Sequence, residues 1–261
     1  MLFPPDAGLI DTHCHIDFQD YDADRDEVIR RAQEQGVGRI INIGSSLQGS
    51  INSVELARKY PGVYAVVGCH PHDAQDFSEA DLSRIRSLAA SEKVVAIGEI
   101  GLDYYRDLSP RESQTRLFSS FIRLANELKL PAVIHTRQAP EDTLRIVREE
   151  KLGRAIVHCF SGDEAFMREC LDLGFYISFT CNITYKKSQG LRDLVKTAPL
   201  DRMCLETDAP YLSPEGFRGK RNEPSFVRLL AETVAGLRNE PFERICRVTT
   251  ENAIRFFCLN G

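Results

Sequence analysis

The sequence has no surplus of basic charge, no long apolar run, no paired cysteines and few histidines. Each shortage narrows the possibilities. A net charge of −5 rules out a global positive field, so any polyanion must be held by a local patch. No apolar stretch approaches the ~20 residues of a membrane helix, which predicts a protein without a membrane span. The opening "MLFPPDAGL" lacks a basic segment followed by an apolar one, so no secretory signal is expected. The eight cysteines form no CxxC pair and show no framework spacing, which argues against a disulfide scaffold. Most of them sit in apolar runs and read as reduced core thiols, as expected of a cytoplasmic protein. Only six histidines remain, at positions 13, 15, 70, 72, 135 and 158, and that scarcity makes their placement informative.

Short apolar runs alternate with amphipathic stretches along the chain. Strands are predicted at 9–16, 39–44, 63–70, 94–101, 131–135, 154–160, 175–181 and 202–208. The clearest helical pattern is 115–129, where Leu117, Phe121, Leu124, Ala125 and Leu128 recur on one face. Another follows Pro224, with Val227, Leu230, Val234 and Leu237 in a stripe. Gly174 stands where a helix should stop before the next strand. Eight strand–helix units in this length predict an α/β protein, a single (β/α)8 TIM barrel spanning 1–261, with an open doubly wound sheet as the rival. No linker or low-complexity segment divides it.

Every histidine falls at or just beyond the C-terminal end of a predicted strand, the barrel face that carries active sites. His13 and His15 lie two apart on one strand, so both imidazoles look into the same space. Glu99, Glu206 and Asp208 occupy similar positions. Val95, Ile97 and Glu99 share a face, as do Val133 and His135, and Ile156 and His158. A lone strand histidine is more often a hydrogen-bonded core residue, but together with the HxH pair these residues point to a metal site. Cys14 and Cys159 should turn to the other face and pack in the core. Glu206 lies one layer deeper than Asp208 and reads as a buried group behind the ligands. His72 lies beyond its strand and reads as a solvated loop residue.

An HxH motif, single histidines on strands 5 and 6 and an aspartate on strand 8 resemble the amidohydrolase superfamily. With Glu99 on strand 4, and with "LIDTHCHID", "VGCHPHDA", "IGEIGLDYY", "VIHTRQA", "HCFSG", "ETDAPYL", "RGKRNEP" and "TTENAIRFF" in order, the chain resembles the TatD family of metal-dependent deoxyribonucleases. Gln138 departs from the pattern, standing where relatives commonly carry an acid. The resemblance implies two adjacent divalent cations, Mg²⁺, Mn²⁺ or Zn²⁺. His13, His15, Glu99 and Asp208 would hold one, and Glu99, His135 and His158 the other. Such a pair, ~3.5–4 Å apart, can activate a water and clamp the attacking and leaving oxygens of a phosphodiester. Asp208 would orient or deprotonate that water, with Glu99 and His70 completing the catalytic group.

His70 and Arg137, at strand ends, are candidates for binding a phosphate oxygen. Two basic clusters follow strands 7 and 8: Lys186, Lys187 and Arg192, then Arg218, Lys220 and Arg221. Either is a cationic rim for DNA or an ordinary solvated loop. The leading expectation is a nuclease cleaving DNA phosphodiesters from single-stranded ends, acting as a monomer or weak oligomer. The alternatives are an amide or ester hydrolase, including one acting on an aminoacyl-nucleic acid, and a metal-binding scaffold without turnover.

Overall fold

The computed structural model describes residues 8–259. Among them are eight strands: β1 (Leu9–Cys14), β2 (Val37–Ile43), β3 (Val63–Val67), β4 (Val94–Asp103), β5 (Ala132–Arg137), β6 (Ala155–Val157), β7 (Tyr176–Phe179) and β8 (Met203–Leu205). The helices are α1 (Arg25–Glu34), α2 (Leu47–Lys59), α3 (Glu79–Leu88), α4 (Arg111–Leu128), α5 (Pro140–Glu149), α6 (Glu164–Asp172), α7 (Gln189–Thr197), α8 (Val227–Arg238) and α9 (Phe242–Phe257). The strands form one sheet in the order β1 to β8. A doubly wound sheet reverses its strand order partway, so sequential order selects the (β/α)8 barrel. By contact density the chain divides into two compact units. One comprises residues up to Asn42, Cys159–Glu164 and residues from Ile177 onward; the other comprises Ile43–His158 and Ala165–Tyr176.

In the first unit β1 pairs in parallel with β2, and β7 with β8. The end of β8 also returns to β1. Thr12 Oγ1 donates to Leu205 O at 3.1 Å, Asp208 N–H to His13 O at 2.8 Å, and His15 N–H to Ala209 O at 2.7 Å. The first and last strands therefore adjoin, and the ladder between them carries the backbone of three candidate ligands. The "TTENAIRFF" segment lies in α9, where it serves the entry to β8. Buried Asn252 donates from Nδ2 to Leu200 O and Met203 O, both at 2.8 Å. Ile245, Ala253, Phe256 and Phe257 bury the same helix, each large apolar side chain contributing about 1.5–3 kcal/mol. In α8, Val227, Leu230 and Val234 are buried as the stripe predicts, whereas Leu237 is half-buried near the helix end.

In the second unit β4 is buried along all ten residues, as suits a parallel strand covered on both faces. Its pairing with β5 steps from Ile97↔Ala132 to Ile100↔Ile134, three residues against two, so a bulge falls in the stretch holding Gly98 and Glu99. Gly101 follows at φ 142°, and a Cβ there would stand 1.9 Å from His135 O. Only glycine allows that approach, which brings β4 alongside His135. α6 stops as expected. Gly174 N–H bonds Leu171 O at 2.8 Å and Phe175 N–H bonds Cys170 O at 3.0 Å, a Schellman cap with Gly174 at φ 78°. α4 begins four residues before its predicted start, after Pro110, whose missing N–H a helix entrance does not need.

Candidate metal centre

One cluster of ligand atoms lies in the first unit. His13 and His15 share a face of β1 and its extension, and their Nε2 atoms are 3.3 Å apart. Asp208 Oδ1 stands 3.7 Å from the first and 3.6 Å from the second. Both histidines are buried. The alternation argument for Asp208 fails in detail, because β8 ends at Leu205 and Asp208 adopts φ 55°. A left-handed turn, which aspartate tolerates better than most residues, carries its carboxylate to the histidines. Asp11, two residues before His13, accepts from Thr207 Oγ1 at 2.6 Å and Thr207 N–H at 2.9 Å, bracing that turn. Burial pushes the Asp11 carboxyl up to about 8. Glu206 is buried, and its Oε1 accepts Cys159 N–H at 2.6 Å, steadying the residue after His158 as its deeper position suggests.

The other cluster lies in the second unit, gathered around one carboxylate oxygen. Glu99 Oε1 is 2.7 Å from His158 Nε2, 2.8 Å from His135 Nδ1 and 3.6 Å from His70 Nε2. His135 Nδ1 and His158 Nε2 are 3.2 Å apart. His70 lies past the end of β3, where its Nδ1 accepts His72 N–H at 3.2 Å. That bond leaves the ring proton of neutral His70 on Nε2, directed toward Glu99. Burial pushes the His70 imidazole down to about 3, against the pull of Glu99, so it stays neutral and acts as a donor.

Asp103, absent from the sequence-based site, holds this cluster from behind. It is buried, and its Oδ2 lies 2.9 Å from His72 Nε2 and 3.2 Å from His135 Nε2. Oδ1 accepts Tyr105 N–H at 3.0 Å and Arg106 N–H at 2.8 Å. Burial disfavours its charge, but the bonds from His135, Arg106 and His72 prevail and hold the carboxyl well below the usual range. His135 is the counterpart: burial opposes its charge, while Asp103 and Glu99 outweigh burial and raise its pKa. His72 is thus not a solvated loop residue as expected, but half-buried and tied to Asp103. Spacing carried the signal for Asp103, since Glu99, Gly101 and Asp103 alternate. The predicted strand ended too early, at 101, and left Asp103 out.

Other candidates are placed as follows. β5 continues through Arg137, which is exposed and stacks over Tyr105 at 3.9 Å. Cys14 packs in the core with Sγ toward Ile41 O, and Cys159 Sγ faces Thr180. Two members of the expected cationic rim belong to the scaffold instead. Arg221 pairs with Asp24 at 2.7 Å and Glu223 at 3.2 Å and lies 4.4 Å over Tyr21. Arg192 spends its guanidinium on the carbonyls of Ile183, Tyr185 and Lys186. Arg218 and Lys220 remain exposed, lining a cleft of about 500 Å³ with Tyr185 and Tyr211.

The donor chemistry fits divalent cations. Ligands about 2.1 Å from a tetrahedral ion stand about 3.4 Å apart, close to the nitrogen–nitrogen spacings of 3.3 and 3.2 Å in the two clusters. Buried imidazoles beside carboxylates at strand ends are the equipment of a metal-dependent hydrolase on a (β/α)8 barrel. The family model described as TatD related DNase matches residues 10–258, through both units. The chain is 45% identical to the uncharacterized metal-dependent hydrolase YabD of Bacillus subtilis (strain 168), over 97% of this chain and 100% of that one. It is 37% identical to the 3'-5' ssDNA/RNA exonuclease TatD of Cronobacter sakazakii, over 97% and 99% of the two chains. The crystal structure of YJJV, a TatD homolog from Escherichia coli K12, superposes with a TM-score of 0.93 at 31% identity, covering 98% and 100%. The chain belongs to the TatD family and is a metal-dependent hydrolase. No helix among the described residues is long and apolar enough to cross a membrane.

Proposed function

We propose that this protein is a nuclease that hydrolyses phosphodiester bonds at the ends of single-stranded DNA or RNA with two divalent cations. His13, His15 and Asp208 would hold one cation, and Glu99, His135 and His158 the other. The observation that carries this reading is the gathering of three imidazole nitrogens around Glu99 Oε1, at 2.7, 2.8 and 3.6 Å. Similarity to a named exonuclease over 97% of the chain adds the substrate class. Nitrogen-rich sets favour Zn²⁺ or Mn²⁺ over Mg²⁺. Both sets draw on one chain, so we read the active form as a monomer and the whole chain as one working domain. Eight cysteines with no disulfide among the described residues suit a cytoplasmic protein.

When bound, the cations supply an activated water and offset charge on the phosphate and leaving oxygens. The Asp208 carboxylate, held beside His13 and His15, accepts the proton of the attacking water. His70 donates its Nε2–H to a non-bridging phosphate oxygen, a role matched to a neutral imidazole. Arg137, at the end of β5, holds a neighbouring phosphate.

Chelated protein should be reloaded with Mg²⁺, Mn²⁺ or Zn²⁺ and incubated with end-labelled single-stranded DNA and RNA and a panel of carboxylic esters. Metal-dependent release of mononucleotides from one end is expected. Ester turnover without strand cleavage would replace the nuclease reading with an esterase or deacylase.

A further inference from the structure

We propose that the cleft beside Tyr211 is a subsite for one nucleotide at the end of a single strand. Its base stacks on Tyr211, and its phosphate is held by Arg218 and Lys220. The inference rests on the nuclease reading above and adds a recognition element that the ligand clusters do not contain.

Tyr211 is an exposed aromatic ring on a fixed mount. The residue is 55% exposed, yet its N–H donates to Asp208 O at 2.9 Å and its carbonyl accepts from Asn222 Nδ2 at 2.6 Å. Asn222 is fully buried, and the same amide donates to Thr207 O at 2.9 Å. The backbone is therefore locked to the turn that carries Asp208, and only the two side-chain torsions of Tyr211 need ordering when something stacks on it. The ring centroid is 6.4 Å from that of His15 and 6.3 Å from that of Phe18. Phe18 in turn stacks on His15 at 4.8 Å. A planar group on Tyr211 would thus sit beside the HxH cluster.

The charges beside Tyr211 sort themselves. In "RGKRN", Asn222 is buried and braces the loop and Arg221 lines the cleft while paired to acids, whereas Arg218 and Lys220 are exposed on the cleft. Arg218 is ordered by lying over the Tyr185 ring at 4.6 Å, and Tyr185 is itself tied to Ser213 O at 3.0 Å. Arg221 is neutralised by Asp24 and Glu223, which leaves two cations facing the one acid of the lining, Asp20. A volume of about 500 Å³ is within the roughly 300–1,000 Å³ of small-ligand sites. An aromatic face with adjacent cations matches a nucleotide of any sequence.

The test compares kcat/KM on single-stranded oligonucleotides whose terminal nucleotide carries a base or is abasic, with the abasic residue placed at either end. On the strand with its terminal base, Tyr211→Leu should lose between about 5- and 150-fold, the range for one base–aromatic stack. Wild type should lose a similar factor on going to one of the abasic ends, and Tyr211→Phe should retain most of the activity. Quenching of a terminal 2-aminopurine on binding should weaken in Tyr211→Leu. Changing Arg218 and Lys220 to glutamine should flatten the slope of log affinity against log salt by about 0.7, for the loss of one phosphate contact on a single strand. If wild type cleaves the strand but treats both abasic ends like the normal ones, and Tyr211→Leu matches wild type, the subsite is refuted while the nuclease reading stands. If wild type cleaves no strand with any metal, both fall together.

Discussion

Asp103→Asn tests whether the carboxylate behind His135 sets that ring's protonation. Asp103 Oδ2 faces the Nε2 atoms of His135 and His72 at 3.2 and 2.9 Å, and Oδ1 already accepts two backbone N–H groups. A carboxylate there favours the proton on His135 Nε2 and leaves the Nδ1 lone pair toward Glu99 and His158. In the variant, the amide oxygen takes over the two backbone donors and the amide NH₂ turns toward the rings. Two donors cannot face each other, so His135 is driven to carry its proton on Nδ1, the atom needed for a metal. Loss of such a carboxylate–histidine contact typically lowers metal affinity about 10- to 100-fold, or about 1.4–2.7 kcal/mol. Calorimetric titration of Zn²⁺ or Mn²⁺ into chelated protein reads this directly, and ¹⁵N shifts of the His135 ring report the tautomer. The folding midpoint of the chelated protein should also fall near neutral pH, because the amide keeps the backbone bonds but loses the charge that His135 and His72 stabilise. Affinity within twofold of the parent, with an unchanged tautomer, would refute the reasoning.

Asp208→Asn should lower kcat by about 10²-fold or more, the scale of a positioned general base, while KM for single-stranded DNA changes little; near-normal kcat with both cations bound would move the role elsewhere. Arg221→Ala should destabilise the fold by about 1–2 kcal/mol, from partly exposed ion pairs and one cation–π contact, whereas Arg218→Ala, which loses only an exposed cation–π contact, should cost about 0.5 kcal/mol in thermal unfolding. The hydrogen bond from Arg221 holds the Asp24 carboxyl down to about 2, so that loss should be present above pH ~4 and fade as pH falls toward 2; a difference that persists at the acid limit would show that the charge pair is not its source. In chelated protein, His70 is neutral until about pH 3, whereas an unfolded histidine protonates near 6.5. The unfolded chain therefore binds the extra proton between those values, and acidifying from pH 7 to 5 should cost about 2 kcal/mol through this residue. His135, shifted the other way, offsets part of that loss in the parent, so His70→Gln against wild type isolates the effect; equal pH slopes would exclude it.

Local chemistry made much of this protein legible without coordinates. Alternation of short apolar runs with helical stripes is a consequence of side-chain period, and it placed all eight strands in order. The same period of two put His13 and His15 on one face and stopped the rows of β5 and β6 at His135 and His158. Gly174 ended α6 because only a residue at ease with positive φ completes that cap. What escaped lay where period fails. The register shift between Ile97 and Ile100 and the clearance at Gly101 do not follow from alternation, because both depend on how closely β5 approaches. Asp208 reaches its cluster through a left-handed turn braced by Asp11, a residue whose partner stands 196 positions away. The basic loop divides for the same reason. Arg218 and Arg221 are alike as letters in "RGKRN", but only the fold brings Asp24 and Tyr21 to Arg221 and leaves Arg218 open to a ligand. Sequence determined which chemistry was available and on which strand; tertiary packing decided which of those groups face each other, because charge and hydrogen bonding act over a few ångströms of space rather than along the chain.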